Sequence, residues 1–156
     1  MNMLQQLSTR PATPADLPFL MRLRKLTMHE HLERAGERLD DDWHHQRVMA
    51  HFESAHIVCL DGIPAGLFKH YRTQEEWRLV QIQLLPEHQG HGLGERLIRG
   101  LLDQARQSGL PVTLSVLHGS PARRLYERLG FEETAVRGNE FEMLCRPESS
   151  MRGQEE

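Results

Sequence analysis

Gln81-Ile82-Gln83-Leu84-Leu85-Pro86-Glu87-His88-Gln89-Gly90-His91-Gly92-Leu93-Gly94-Glu95-Arg96-Leu97-Ile98 reads as a strand, a glycine-rich turn and the first turns of a helix. Pro86 ends the strand, because it has no amide hydrogen to give a neighbouring ladder. Gly90, Gly92 and Gly94 allow backbone conformations and close approaches that a side chain would forbid. The helix that follows starts with several amide hydrogens unpaired at its positive end. A turn of this shape suits an anion, most often a phosphate or pyrophosphate. A P-loop would need Gly-Lys-Ser/Thr at its end, and Gly94 is followed by Glu95 and Arg96. A dinucleotide fingerprint counted from Gly90 and Gly92 would need a third glycine where Glu95 stands. What remains is Gln-x-x-Gly-x-Gly, occupied by Gln89, Gly92 and Gly94. Taken alone, the stretch is also compatible with a plain strand–helix turn rich in glycine.

Upstream, Leu4 to Arg10 is expected to form a first strand. Thr13-Pro14-Ala15-Asp16 signals a helix start, with Thr13 as N-cap and Pro14 at the first helical position. That helix carries Leu17, Leu20, Met21, Leu23 (or Arg24) and Met28 at mixed three-to-four spacing, so one side is apolar, and it fades towards Ala35-Gly36. Asp40-Asp41-Asp42 starts a second helix, with Trp43, Val48, Met49 and Phe52 as expected core contacts. His56–Leu60 and Ile63–Phe68 then read as a hairpin around Asp61-Gly62. Pro64 is tolerable there only where its missing donor faces away from the ladder.

Downstream, Leu93, Leu97, Ile98, Leu101, Leu102 and Ala105 give a broad apolar helix face, ended by Ser108-Gly109. Val112 to Leu117 is the next strand, Pro121 to Leu129 a helix closed by Gly130. Phe131–Val136 and Glu140–Cys145 pair around Arg137-Gly138-Asn139. The order is β-α-α-β-β-β-α-β-α-β-β, with no internal repeat.

A second motif lies in Ser120-Pro121-Ala122-Arg123-Arg124-Leu125-Tyr126-Glu127-Arg128-Leu129-Gly130-Phe131. Together the two stretches resemble the paired signatures of the GNAT superfamily of N-acetyltransferases. The first is its acetyl-CoA loop; the second is similar to Asn-x-Ala-x-x-Leu-Tyr-x-x-x-Gly-Phe, matched at Ala122, Leu125, Tyr126, Gly130 and Phe131. Ser120 departs from the family's frequent Asn. The resemblance runs from about Arg10 to Arg146. It implies an α/β fold of GNAT type: a central mixed, mostly antiparallel sheet of six to seven strands flanked by four helices. Residues 1–146 would be a single domain and 147–156 a polar disordered tail.

The resemblance also implies a reaction, direct attack of a primary amine on the thioester of acetyl-CoA. Backbone amides of Gln89, Gly90, His91, Gly92, Leu93 and Gly94, with Glu95 at the helix start, would hold the pyrophosphate. Main chain around Leu84 and Leu85 would pair with the pantetheine arm and polarise the carbonyl. Ser120, Ala122 and Tyr126 would complete the cofactor contacts, with Tyr126 as general acid towards the leaving thiolate. Leu125 and Leu129, four apart, belong to the core. An ammonium cannot attack until deprotonated, and family members often use a Glu on the strand before the loop; here that strand offers Gln81 and Gln83. The candidates for the base are His118, Glu76 and His31, each equally readable as a solvated side chain. The acceptor would be a small-molecule or peptide amine. The alternative is a non-catalytic acyl-CoA-binding or sensing module on the same fold.

Composition narrows the classes. The chain has 156 residues, 38% apolar types and a formal net charge of −3, which argues against a nucleic-acid binder and against modification of charged RNA. No apolar run approaches the roughly 20 residues that span a bilayer, and Pro11, Pro14, Pro18 and Asp16 interrupt any signal peptide, so a cytoplasmic chain is expected. Cys59 and Cys145 lie in apolar stretches and read as buried free thiols. Ten histidines raise the question of a metal, but their spacing matches no ligand pattern, and none is expected. A homodimer is compatible with the implied fold.

Overall fold

The computed structural model of the chain describes residues 6–34 and 40–147, with residues 28–34 described by their backbone. The expected strand start at Leu4, the fading of the first helix at Ala35-Gly36, the Met28 and His31 side chains and the tail from residue 148 lie outside the described residues. Seven strands are formed: β1 (Leu7–Pro11), β2 (Ala55–Leu60), β3 (Ile63–Arg72), β4 (Trp77–Leu84), β5 (Val112–Leu117), β6 (Glu132–Arg137) and β7 (Glu140–Cys145). Among the described residues four α-helices are interspersed with them: α1 (Leu17–Arg34) and α2 (Asp41–Met49) between β1 and β2, α3 (Leu93–Ser108) after β4, and α4 (Ala122–Arg128) after β5. The strands form one mixed sheet in the order β1-β2-β3-β4-β5-β7-β6. β4 and β5 are parallel, paired at Trp77↔Val112 and Arg78↔Thr113. The β1–β2, β2–β3, β5–β7 and β6–β7 pairs are antiparallel. This is the α/β arrangement, with its element order, that the sequence leads one to expect.

Packing divides the chain into two compact units, Met1–Lys69 with Gln81–Leu93, and His70–Val80 with Gly94–Glu156. The first holds a core of Leu20, Leu23, Val48, Ala55, Ile57, Cys59, Leu67 and Leu85. Its first helical turn, a 3-10 turn at Pro14–Asp16, is fastened by the Asp16 carboxylate. That carboxylate takes the Thr13 amide at 2.8 Å and both terminal nitrogens of Arg10 at 2.9 Å. These donors, Arg10 foremost, hold its pKa down to about 2. A depressed carboxylate contributes its stability above the ordinary carboxylate range and loses it as pH falls towards 2, an effect of about 2 kcal/mol. Urea midpoints should therefore fall between pH 5 and 2.5 more steeply in the wild type than in Asp16→Asn; parallel curves would remove this pair from the acid sensitivity.

One expectation about α2 is corrected. Its N-cap is Asp40, as expected, accepting the Trp43 amide at 2.8 Å. The inward face is His44 and Val48, at 1% and 4% exposure, and Met49, expected in the core, is 39% exposed. Phe52 lies in a following 3-10 turn and packs, half-buried, against the core as expected. The i,i+4 pair 44/48 fixes the face, and Met49 is rotated out of it. The helix ends on a buried lysine from the next strand. Lys69 Nζ donates to the carbonyls of Val48 at 2.9 Å, Ala50 at 2.6 Å and Arg47 at 3.4 Å, pairing a cation with the negative helix terminus. Burial, and then the Arg24 charge, bring its ammonium down to about 8.

The hairpin turns at Asp61-Gly62, both left-handed (φ 52° and 83°). The β2–β3 register shifts between Val58 and Cys59, and Cys59 faces Pro64, so the residue without an amide sits at the irregularity. β3 runs on to Arg72, past the expected end at Phe68, because Lys69 is buried rather than solvated. Midway, Gly66 leaves room for the backbone of the neighbouring strand. A Cβ there would collide with the Gln83 carbonyl oxygen and lie 2.8 Å from Leu84 Cδ2. Gly66→Ala should cost about 3 kcal/mol, since the obstacle is main chain that cannot rotate away. Urea denaturation checks this, and a loss within experimental error of zero would mean that the strands can part.

In the second unit α3 buries Leu97, Ile98, Leu101, Leu102 and Ala105, as its periodicity predicts. Gly109 (φ 72°) ends it, donating to Arg106, while Leu110 donates to Ala105. Val112, Leu114 and Val116 of β5 and Met143 and Cys145 of β7 are buried. Both cysteines are free and buried, and burial, followed by Glu132, pushes the Cys145 thiol up to about 11. Among the described residues no helix is long and apolar enough to cross a membrane.

Candidate functional site

The end of β4 is anchored before the glycine turn begins. Leu85 donates its amide to Ala65 at 2.9 Å, and a 3-10 turn follows at Pro86–His88. The Gln89 side-chain amide reaches back and donates to the Leu84 carbonyl at 3.0 Å. Gln89 therefore ties the turn to the strand end, a role its place in the motif did not announce. Gly90 and Gly92 are left-handed, φ 80° and 78°, and a Cβ at either would meet nothing within 4 Å. Conformation, not crowding, demands glycine at these two positions. Exposed His91 lies between them, and buried Leu93 opens α3. The first amides of α3 thus follow directly from the turn, the arrangement that binds an anion.

Glu95 stands in the first turn of α3, where its charge would repel a phosphate. Its carboxylate is occupied by Arg99 at 3.0 Å and Arg128 at 3.1 Å, and these two arginines hold its pKa below the usual range. The acid is neutralised on the spot. Any part Glu95 takes in cofactor binding falls to its backbone.

The second motif builds α4. The Ser120 hydroxyl accepts the Ala122 amide at 3.2 Å, and the Ser120 carbonyl accepts Arg123 at 3.3 Å. Ser at this position starts the helix, a job that needs only a short acceptor. One turn on, Tyr126 is 8% exposed, its ring edge-on to Phe131 with centroids 5.7 Å apart. Burial raises the phenol above its ordinary value, so it stays protonated through neutral pH.

The candidates for the base separate in position. Glu76 lies in the turn before β4, at the opposite end of that strand from Leu84; its backbone is tied to Thr73, whose amide donates to the Glu76 carbonyl at 2.8 Å. His118 is exposed, follows β5, donates its amide to Asn139 at 2.7 Å and lays its ring 4.9 Å from Phe141. The His31 side chain is outside the described residues. A carboxylate that sequence reasoning missed is Glu142 on β7. It accepts from Arg78 at 3.0 Å and from the Ser115 hydroxyl, and Arg78 also reaches Thr113 at 3.2 Å. Arg78 first, then Ser115, keeps Glu142 below the usual range, so it is a fixed counter-ion rather than a base. No local pattern marks it, because its partners lie on other strands.

The chain matches the Acetyltransferase (GNAT) family over residues 17–131, and it belongs to that family. It is 37% identical over 68 residues to the [ribosomal protein bS18]-alanine N-acetyltransferase of Haemophilus influenzae, covering 43% of this chain and 47% of that one. It is 32% identical over 81 residues to the L-methionine sulfoximine/L-methionine sulfone acetyltransferase of Salmonella typhimurium, covering 45% and 47%. In both cases the match spans about half of the relative's length. The fold is shared with the PaiA N-acetyltransferase of Thermoplasma acidophilum, crystallised with coenzyme A. There the TM-score is 0.70 at 15% identity, covering 90% of this chain and 99% of that one. It is shared too with the ribosomal-protein-S18-alanine N-acetyltransferase of Escherichia coli, with TM-score 0.69 at 21% identity, covering 90% and 94%.

Proposed function

We propose that this chain transfers an acetyl group from acetyl-CoA to a primary amine, carried by a small molecule or a peptide. The observation that carries the reading is the left-handed Gly90 and Gly92 turn delivered onto the start of α3. Its amides would hold the pyrophosphate, and the neutralised Glu95 supports this by removing an opposing charge. Main chain around Leu84 and Leu85 would pair with the pantetheine arm. The amine nitrogen attacks the thioester carbonyl, the carbon–sulfur bond breaks, and Tyr126 gives its proton to the departing thiolate. Of the candidate bases, His118 is carried forward, as an exposed imidazole at the end of β5 two residues before Ser120.

The family match runs through segments of both compact units, which supports reading residues 1–146 as one catalytic domain. Relatives named as acetyltransferases favour catalysis over a sensing module. One of them is named for a ribosomal protein and another for amino-acid derivatives, so both peptide and small-molecule acceptors belong in the screen. The test is calorimetric titration with acetyl-CoA, followed by amine-dependent release of thiol. Saturable binding and release support the reading; a protein that does not bind acetyl-CoA overturns it.

A further inference from the structure

The helix pair α1–α2 buries a guanidinium that no carboxylate among the described residues answers. Arg24 is 5% exposed and donates through Nε to His44 Nδ1 at 2.9 Å. A ring nitrogen that accepts a hydrogen bond carries no proton, so His44 meets this cation with the lone pair of Nδ1. The guanidinium carbon lies 4.9 Å from the centre of the Trp43 ring, and that of Arg47 lies 5.5 Å from the same ring. Among the described residues Arg24 makes no ion pair, and the charges set against it are alike in sign: Arg47, and the buried ammonium of Lys69. Lys69 is spent on the carbonyls that end α2, and Glu53 is the acid that faces it.

A buried cation with no carboxylate beside it is costly, and a ring face and one neutral hydrogen bond return only part of that cost. Of the five donors of a guanidinium one is used among the described residues, which leaves the terminal nitrogens with the planar fork that matches two oxygens side by side. The indole beside the fork is an apolar wall. A fully hydrated phosphate gains little from such a wall, whereas a carboxylate on a hydrocarbon body uses both features. We propose that Arg24, flanked by Trp43 and Arg47, is a binding site for a small organic carboxylate. The proposal concerns α1 and α2 only and does not depend on acetyl transfer.

The test is a titration of the full-length 15N-labelled chain, without acetyl-CoA, followed at the Arg24 Nε–H and Trp43 indole resonances. The probes are N-acetylglycinate, its carboxamide N-acetylglycinamide, and inorganic phosphate, at constant ionic strength. The expected result is a saturable shift of both resonances with the carboxylate, and none with the carboxamide. Phosphate should bind at least tenfold more weakly. Arg24→Lys keeps the charge but not the fork and should weaken the carboxylate at least tenfold; Arg24→Gln should abolish its binding. Thermal melts of both variants report whether the helix pair stays folded. If a variant has unfolded, the three wild-type titrations still decide. The site is overturned if the carboxylate gives no saturable shift, if the carboxamide matches it, or if a folded Arg24 variant binds it unchanged. Phosphate binding as tight as the carboxylate overturns the assignment of ligand class.

Discussion

Tyr126→Phe should lower the turnover number for acetyl transfer by about a hundredfold, while acetyl-CoA binding changes by no more than about twofold. The substitution removes one oxygen and keeps the ring. Tyr126 packs edge-on to Phe131, and its phenol donates to no described side chain, so the loss is chemical rather than structural. If Tyr126 protonates the thiolate, only the transition state loses an interaction, and the effect falls on kcat instead of on cofactor affinity. The pH profile adds a check. Burial raises the phenol, so the acid form is complete at neutral pH and is lost only as pH rises beyond its ordinary value near 10. A fall in turnover on the alkaline side below that range must come from another group. Steady-state kinetics beside calorimetry measure both quantities, and an unchanged turnover would take Tyr126 out of the reaction.

Gly92→Glu should weaken acetyl-CoA by about a hundredfold or more, for two separable reasons. At φ 78° any side chain strains the backbone, at about 1–2 kcal/mol. The added carboxylate then faces the start of α3, where a pyrophosphate would sit. Gly92→Ala separates the effects, since it carries the strain without the charge and nothing lies within 4 Å of the new methyl. It should weaken binding by less than the glutamate does. Gly62→Ala, at φ 83° in the Asp61-Gly62 hairpin turn and also with open space, carries like strain away from the motif and should leave binding unchanged. Equal affinity in wild type and Gly92→Glu would return the turn to a purely structural role and would sink the cofactor reading with it.

Much of this molecule is legible in local pattern. Periodicity places every strand and helix in order, because a 3.6-residue or two-residue repeat of apolar side chains needs only neighbours in sequence to be seen. Asp40 as a cap, Gly109 as a helix end and the left-handed Asp61-Gly62 turn follow from backbone chemistry in the same way. So does the glycine turn before α3, although there the positive φ falls on Gly90 and Gly92 and not on all three glycines.

What local pattern hides is whatever depends on partners far along the chain. The exposure of Met49 and the inward turn of His44 are decided by Arg24, twenty residues away, and by the wall that α1 presents. Lys69 reads as the polar end of a strand, but the terminal carbonyls of α2 give its ammonium a buried place, and β3 therefore continues to Arg72. The Gln89 side chain is found holding the Leu84 carbonyl; Glu142 looks like any strand glutamate and is found locked to Arg78. The sequence by itself thus determined the order of elements, the family and the two stretches proposed to carry the chemistry, since each is written in consecutive residues. Only the tertiary structure decided which charges are buried, what neutralises them and which carboxylates are unavailable as bases. Desolvation and Coulomb energy depend on distances between groups that the chain order does not contain.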